Sequence, residues 1–336
     1  MIKYSIVIPT FGRNKFLGGC LESINKQTIK PEQVIIIDNN YNAEYRGSVQ
    51  KIIKENSIND IKYSYNKGRI NSGAVARNHG ASLVNTDLVA FLDDDVVLDD
   101  DYYEKVINVF KLDDNIVGVQ GLDRALAENY SINIRNKFFG KTLLAIENFL
   151  EQAFIVKDKD SSLRPSLAVS HPIPDLEFYE ESQWISTCAG VFKTDLFKII
   201  EFPKQFVKYS WNEYVFFSHN IYKMQLGKMI YTSEPKYRNM PTDDGRLPIK
   251  ELVYMAEVYD LYVFNNLFNR NFRDRAIYFK SRLSRLLIYF WRTIRTRQYK
   301  LTLLRNAFGA MYFTFKNRNE IKKGNLECYN KLFPLE

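Results

Sequence analysis

Leu88-Val-Ala-Phe-Leu-Asp-Asp-Asp95 decides the fold class of this 336-residue chain. The apolar run Leu88–Leu92 reads as a buried strand, and it ends on three consecutive carboxylates. Adjacent like charges repel by about 1 kcal/mol at 4 Å in water, and by several times more where solvent is excluded. Such a cluster belongs at a rim or beside a cation. Hard oxygen ligands at the carboxyl end of a strand suit Mg2+ or Mn2+ held together with phosphate oxygens. Working outward, Tyr4–Ile8 is a strand closed by Pro9-Thr10, and Lys15–Gln27 has helical periodicity. Gln33–Ile37 is a strand running onto Asp38-Asn39-Asn40, and Ser48–Glu55 is helical. Ile61–Tyr65 is a third strand, Ser72–Asn85 a helix, and Tyr102–Lys111 a helix whose acidic start is Asp99-Asp100-Asp101. Strands alternating with helices imply right-handed crossovers and a mainly parallel sheet. Ligands of such sheets gather outside the carboxyl ends of the strands. Thr10, Asp38 and Asp93–Asp95 all fall there.

The second half is read as a polar loop at Lys157–Asp175, a strand at Gln183–Phe192 and a helix at Glu213–Leu226 closed by Gly227. A strand at Lys228–Thr232 and a loop at Pro235–Pro248 follow, and Lys250–Arg318 is helical in character. A hydrophobic fraction of 46% supports a sizeable core. Cys20, Cys188 and Cys328 lie far apart, as free thiols of a reducing compartment do. His79, His171 and His219 show no i, i+4 pair, which argues against a zinc hydrolase. The chain opens on a strand rather than a leader. No run reaches the roughly 18 apolar residues of a membrane span. A cytoplasmic location is expected, peripheral on the inner face of the cell membrane if the tail binds lipid. The net charge of +8 is uneven: residues 270–318 carry 13 Lys and Arg against Asp274 alone, leaving −4 for the rest. That asymmetry points to an anionic partner, lipid or nucleic acid.

Four stretches occur in a telling order: Tyr4-Ser-Ile-Val-Ile-Pro-Thr-Phe-Gly-Arg13, Val34-Ile-Ile-Ile-Asp-Asn-Asn40, Asn71-Ser-Gly-Ala-Val-Ala-Arg-Asn-His-Gly80 and Ala90-Phe-Leu-Asp-Asp-Asp95. In order and spacing the chain resembles the inverting nucleotide-sugar glycosyltransferases of family 2, which have the GT-A fold. The resemblance covers residues 1–110 and continues more weakly to residue 240 through Trp184–Phe192 and Trp211-Asn-Glu213. It implies an α/β, Rossmann-like, mainly parallel sheet flanked by helices. The implied catalytic domain is 1–245, with a nucleotide-sugar half (1–115) and an acceptor half (116–245). A basic helical extension, 246–336, lies outside the resemblance.

The resemblance also implies roles. Asp93 and Asp95 hold Mg2+ or Mn2+, and Asp93 and Asp94 face the donor diphosphate. Pro9 and Thr10 wall the nucleoside pocket, and Asn40 and Asn78 border the donor. Asp38 accepts from a base, which suits a uracil N3–H and hence a UDP-sugar. Arg77 reaches the phosphates, as guanidinium geometry favours. Inverting transfer needs one carboxylate to take the acceptor's proton. Glu213 fits that place, although the first acid of the family's pair is Asn212 here; Glu177 and Asp195 are the fallback acids. Tyr237-Arg238-Asn239 stands where the family often has a metal-binding His, and His79 reads as structural. Each residue also has a plainer reading: a solvated acidic turn, an Asx turn, an exposed helix Arg, a helix-start Glu.

The implied activity is transfer of a sugar from a nucleotide diphosphate to a glycan or lipid-linked glycan in bacterial surface polysaccharide synthesis. A sugar-phosphate nucleotidyltransferase is the alternative enzyme, but Pro9–Asn14 lacks its glycine-rich loop. A binding protein gripping nucleic acid or membrane through the tail is the non-enzymatic alternative; no nucleic acid is expected. In that tail, Leu283, Leu286, Leu287, Phe290, Trp291 and Ile294 share one helical face beside Arg282, Arg285, Arg292, Arg295 and Arg297. Such a helix either lies on an anionic bilayer or packs on the protein with its arginines solvated.

Overall fold

The computed structural model describes residues 2–12, 14–56, 60–66, 71–125, 128, 161–169, 177–240, 247–296 and 301–334, with side chains 291–296 left aside. The chain divides into two compact units, 1–130 with 173–246, and 131–172 with 247–336.

The first unit is built on a mixed sheet. Its strands are β1 (Tyr4–Thr10), β2 (Gln33–Asp38), β3 (Ile61–Tyr65), β4 (Leu88–Phe91), β5 (Val96–Leu98), β6 (Ile116–Asp123), β7 (Tyr179–Ser182), β8 (Val191–Lys193) and β9 (Lys228–Asn239). The order is β3-β2-β1-β4-β8-β6-β9-β5, with β7 also on β9. β3, β2, β1 and β4 run parallel, as the strand–helix alternation predicts. β8 then enters antiparallel between β4 and β6.

Helices α1 (Asn14–Asn25), α2 (Ala43–Glu55), α3 (Gly73–Ala81) and α4 (Tyr102–Phe110) make the connections. Leu17, Cys20, Leu21 and Ile24 recur at helical spacing, and all four are buried in the same core as Ile6, Ile8, Val34 and Ile36. α3 packs so closely on β1 that a Cβ at Gly80 would stand 2.2 Å from a Val7 methyl carbon, so only glycine fits. Burying these side chains, each worth about 1.5–3 kcal/mol, fixes the crossovers and so places every β1–β4 carboxyl end on one edge.

The structure departs from the sequence reading in three places. Gln183–Phe192 is not one strand: β7 ends at Ser182 and β8 begins at Val191. Local bonds hold the stretch between, with the Ser186 backbone N–H donating to Gln120 Oε1 and the Cys188 N–H to Ser186 Oγ at 3.1 Å. Pro235 lies inside β9, where the pairing with β6 shifts register, rather than opening a loop. Asp101 occupies the cap position of α4 without a side-chain capping bond; Asp99 instead pairs with Arg124, and Asp101 with Lys105 at 2.8 Å. Of the Lys157–Asp175 loop, residues 161–169 are described and hold no helix or strand; the rest lies outside the described residues, as do Arg13 and His171.

Helix α5 (Glu213–Lys223) follows a loop with three non-glycine left-handed residues, Lys208, Ser210 and Asn212. Asparagine tolerates that region better than most residues. Asn212 at φ +60° is therefore a backbone device at the start of α5.

The second unit comprises α6 (Ile249–Leu267), α7 (Phe272–Thr296), α8 (Leu301–Lys316), α9 (Arg318–Lys322) and α10 (Glu327–Leu332), as the helical reading of the tail expects. Asp260 on α6 lies fully buried between Arg282, which donates to it, and Arg285 at 2.8 Å. Arg282 also donates to the Ser166 carbonyl at 2.8 Å. Burial alone would push Asp260 up, but the two guanidinium groups outweigh it and hold the carboxyl below its usual range. The tail's arginines are thus not all solvated. No described helix is long and apolar enough to cross a membrane.

Candidate functional site

The sheet register brings the predicted polar ends together. Thr10 at the end of β1 lies opposite Asp38 at the end of β2, and Pro9 opposite Ile37. The Thr10 hydroxyl donates to Asp94 Oδ2 at 2.7 Å, tying the end of β1 to the acidic corner beyond β4. Asp38 is fully buried. One carboxylate oxygen accepts from the Tyr63 hydroxyl at 2.7 Å, the other from the Asn40 backbone N–H at 2.8 Å and its amide at 2.7 Å. Asn40 in turn accepts from Gly12 N–H at 2.8 Å, so the β1 and β2 loops are joined. Tyr63 was not foreseen. The alternation of β3 marks it as sharing a face with Ile61 and Tyr65 but does not reveal its partner.

Arg77 and Glu213 form the centre of the site. Arg77 projects from α3, buried, and one guanidinium nitrogen donates to Glu213 Oε1. Its other terminal nitrogen donates to Asp93 Oδ1 at 2.6 Å. A Cβ at Gly73 would stand 2.9 Å from that guanidinium and 3.4 Å from both Glu213 oxygens, so the helix start is bare where the pair meets. Burial pushes the Glu213 carboxyl up to about 7; Arg77 opposes that shift and Asp93 adds to it. Glu213 Oε2 is buried and has no hydrogen-bond partner. A carboxylate with one oxygen fixed and the other unsatisfied is poised to accept a proton.

A backbone clamp holds these side chains in place. Ser72 caps α3 by accepting from Val75 N–H at 3.1 Å. Its hydroxyl donates to the Phe206 carbonyl at 2.5 Å and lies 3.3 Å from Ser210 Oγ. Gly73 N–H donates to the Lys208 carbonyl at 3.0 Å, and Lys208 N–H to the Asn71 carbonyl at 2.6 Å. The segment carrying Arg77 is therefore bolted to the loop carrying Glu213. Ser72, a capping residue before a small-residue helix, is readable from sequence; its long-range partners are not.

Several of the expected site residues have protein partners in the structure. Arg77 does not stand free for a phosphate: two carboxylates occupy it. Asn78 turns its amide to Phe202, donating to its carbonyl and accepting its N–H, each at 2.9 Å. Both contacts fix the chain after β8. Asp195 is an exposed partner of Lys198 at 2.7 Å, and Glu177 is exposed, so neither resembles a buried base. His79 Nε2 is hydrogen-bonded to Ser64 Oγ at 3.1 Å.

A divalent cation fits this corner only in part. Among the described residues no three His, Cys, Asp or Glu side chains converge on a metal position. Asp93–Asp95 offer hard carboxylate oxygens, with Asp95 and Asp94 buried and Asp93 partly open. Such a donor set suits Mg2+ or Mn2+ when phosphates and water complete the shell. At the position of the family's histidine, Arg238 pairs with Glu128, and Asn239 N–H donates to Asp123 at 3.3 Å.

Comparison with known proteins bears on the family and the fold. Residues 5–164 match the family model described as glycosyl transferase family 2. The chain is 32% identical over 95 residues to a Campylobacter jejuni protein named GalNAc(5)-diNAcBac-PP-undecaprenol beta-1,3-glucosyltransferase, a match covering 28% of this chain and 30% of that protein. It is 29% identical over 127 residues to the poly(ribitol-phosphate) beta-N-acetylglucosaminyltransferase TarP of Staphylococcus aureus, covering 37% of this chain and 38% of TarP. The matched stretches thus span about a third of these relatives. Among solved structures, S. aureus TarS 1–349 in complex with UDP-GlcNAc aligns at TM-score 0.52 and 12% identity, over 98% of this chain and 90% of that one. The Pyrobaculum calidifontis mannosyltransferase PcManGT in complex with GDP-Man and Mn2+ aligns at 0.53 and 12%, over 99% and 88%. At that identity the likeness carries the fold, which is GT-A.

Proposed function

We propose that this chain, which belongs to glycosyl transferase family 2, transfers a sugar with inversion from a nucleotide diphosphate to a glycan hydroxyl. The observation that carries the reading is the buried Glu213 carboxylate, held by Arg77 within one residue's reach of Asp93. A base and an acidic, donor-facing strand end thus share one guanidinium. UDP-sugars are the preferred donors, because Asp38 at the end of β2 is a buried acceptor suited to a uracil N3–H. A glycan or lipid-linked glycan of a bacterial surface polymer is the preferred acceptor, by analogy with the acceptors in the relatives' names. Residues 1–245 are assigned as the catalytic domain and 246–336 as its extension.

In this mechanism Thr10, Pro9, Asp38 and Asn40 hold the nucleoside. Glu213 Oε2 takes the acceptor proton as the hydroxyl oxygen attacks C1 of the sugar. The C1–oxygen bond to the diphosphate breaks, its electron pair stays on the leaving nucleoside diphosphate, and the anomeric configuration inverts. Arg77 keeps Glu213 ionised and oriented. Asp93 and Asp95 would hold Mg2+ or Mn2+, which when bound neutralises charge on the diphosphate. Anomer analysis of the product tests the reading: inversion is expected, and retention would contradict it.

A further inference from the structure

Helix α7 buries a mixed face, in which Leu286 and Ile288 accompany polar side chains, and turns a second apolar stripe outward. Tyr278, Ser281, Arg282 and Ser284 are buried, Arg282 at 2% exposure, with Asp260 neutralising the arginine. Phe272, Phe279, Leu283 and Phe290 face solvent at 89%, 62%, 55% and 51%, and Leu287 is exposed as well. At 3.6 residues per turn these five fall within roughly 80° of arc, a single stripe. Of the face expected from sequence, Leu286 is buried, and the side chains of Trp291 and Ile294 lie outside the described residues. Burying an arginine–aspartate pair while exposing phenylalanines runs against the hydrophobic drive. A contiguous apolar stripe of this kind marks a surface used for contact.

The rim of the stripe says what it contacts. Arg270, Arg273 and Arg275 are exposed, and none takes part in an ion pair among the described residues. Arg273 and Lys280 flank one side of the stripe and Arg275 the other. Helix α8 of the same unit repeats the design: Leu301, Phe308, Tyr312 and Phe315 are exposed in one row with Arg305 beside them. A second copy of the chain would bring these cations against their own kind. An anionic surface with an apolar interior meets both features.

We infer that the solvent face of α7, with Phe279 and Leu283 at its centre, docks on an anionic phospholipid bilayer. The phenylalanine and leucine side chains enter the acyl boundary, while Arg273 and Arg275 lie at the headgroups. This inference stands apart from the sugar-transfer reading, because it needs no donor, acceptor or catalytic residue.

Vesicle flotation of the full chain tests it, using phosphatidylcholine vesicles with and without phosphatidylglycerol. Binding is expected only with phosphatidylglycerol and should weaken with salt. The double variant Phe279→Ser/Leu283→Ser should lower the partition coefficient about tenfold or more, and Arg273→Glu/Arg275→Glu to a similar degree. All four positions are exposed, so melting curves should match the parent; the α8 variant Phe308→Ser is a second probe should either pair melt early. Absence of flotation, equal binding to neutral vesicles, or binding unchanged in the variants would overturn the inference. So would a dimer in analytical ultracentrifugation that the serine pair dissociates.

Discussion

Arg77 and Glu213 are 136 residues apart in sequence and joined by a buried hydrogen-bonded ion pair. The same guanidinium reaches Asp93 at 2.6 Å, so α3 links the acidic corner beyond β4 to the start of α5. Removing one member of a buried pair leaves an uncompensated charge and costs about 3–5 kcal/mol.

Arg77→Met should therefore lower unfolding free energy by about 3 kcal/mol, since Glu213 stays buried without its partner. Denaturant titration measures this. Arg77→Lys should recover part of the loss, because an ammonium neutralises a carboxylate but lacks the fork that spans two. A loss below about 1 kcal/mol for Arg77→Met would mean the pair is solvated in solution.

The pH dependence carries opposite signs for activity and stability. The folded Glu213 pKa of about 7 lies above its usual 4.5. The native state then binds the proton more tightly than the unfolded chain does. Glu213's contribution to stability is full below the unfolded value and is lost as pH rises through about 7. A catalytic base needs the deprotonated form, so kcat should rise over the same window. Glu213→Gln should flatten both profiles and reduce turnover by about 10²-fold or more, the usual worth of a general base. Donor affinity should change little. Near-parental turnover in this variant would remove Glu213 from the mechanism.

Tyr63 and Asp38 test the nucleoside end. Tyr63→Phe takes away the 2.7 Å donor and leaves one Asp38 oxygen bare. An unsatisfied buried group costs about 1–3 kcal/mol. Bound nucleotide can supply the missing donor, so the variant should be stabilised more by UDP than the parent is. Thermal shift with UDP measures this; equal shifts would argue against a base contact at Asp38.

The Ser72 clamp should be visible without substrate. Ser72→Ala removes the cap of α3 and the bonds to Phe206 and Ser210. A lost cap alone costs about 1 kcal/mol. Hydrogen exchange over 205–212 should quicken more than over β1 or β2. Uniform acceleration would show that the clamp does not hold that loop locally.

The parallel half of the sheet was legible because strand and helix periods alternate cleanly from Tyr4 to Phe110, with β1 and β2 ending on Thr10 and Asp38 and the acidic run following β4. The site was legible to the extent that it sits at those ends: Thr10, Asp38 and Asp93–Asp95 are where the register predicts. Arg77's partners were not, because Glu213 arrives through a loop whose path depends on left-handed residues at 208, 210 and 212. Strand pairing of Pro235 was hidden by its local turn propensity, which the register shift against β6 absorbs. Periodicity also grouped Leu283, Leu286, Leu287 and Phe290 on one face of α7; three of them are exposed together, whereas Leu286 is buried. It could not say which face is buried, because that depends on Asp260 and Glu257 of α6 neutralising Arg282 and Arg285.

In the proposed mechanism the corner beyond β4 captures a nucleotide-sugar diphosphate together with a divalent cation. Titration calorimetry of UDP-sugars with and without Mn2+, on the parent chain and on Asp95→Ala, tests it most directly. Mn2+ should strengthen donor binding to the parent about tenfold or more, a worth of roughly 1.4 kcal/mol, and Asp95→Ala should abolish this gain. Donor binding that is indifferent to Mn2+ and Mg2+, and unchanged by Asp95→Ala, would contradict it.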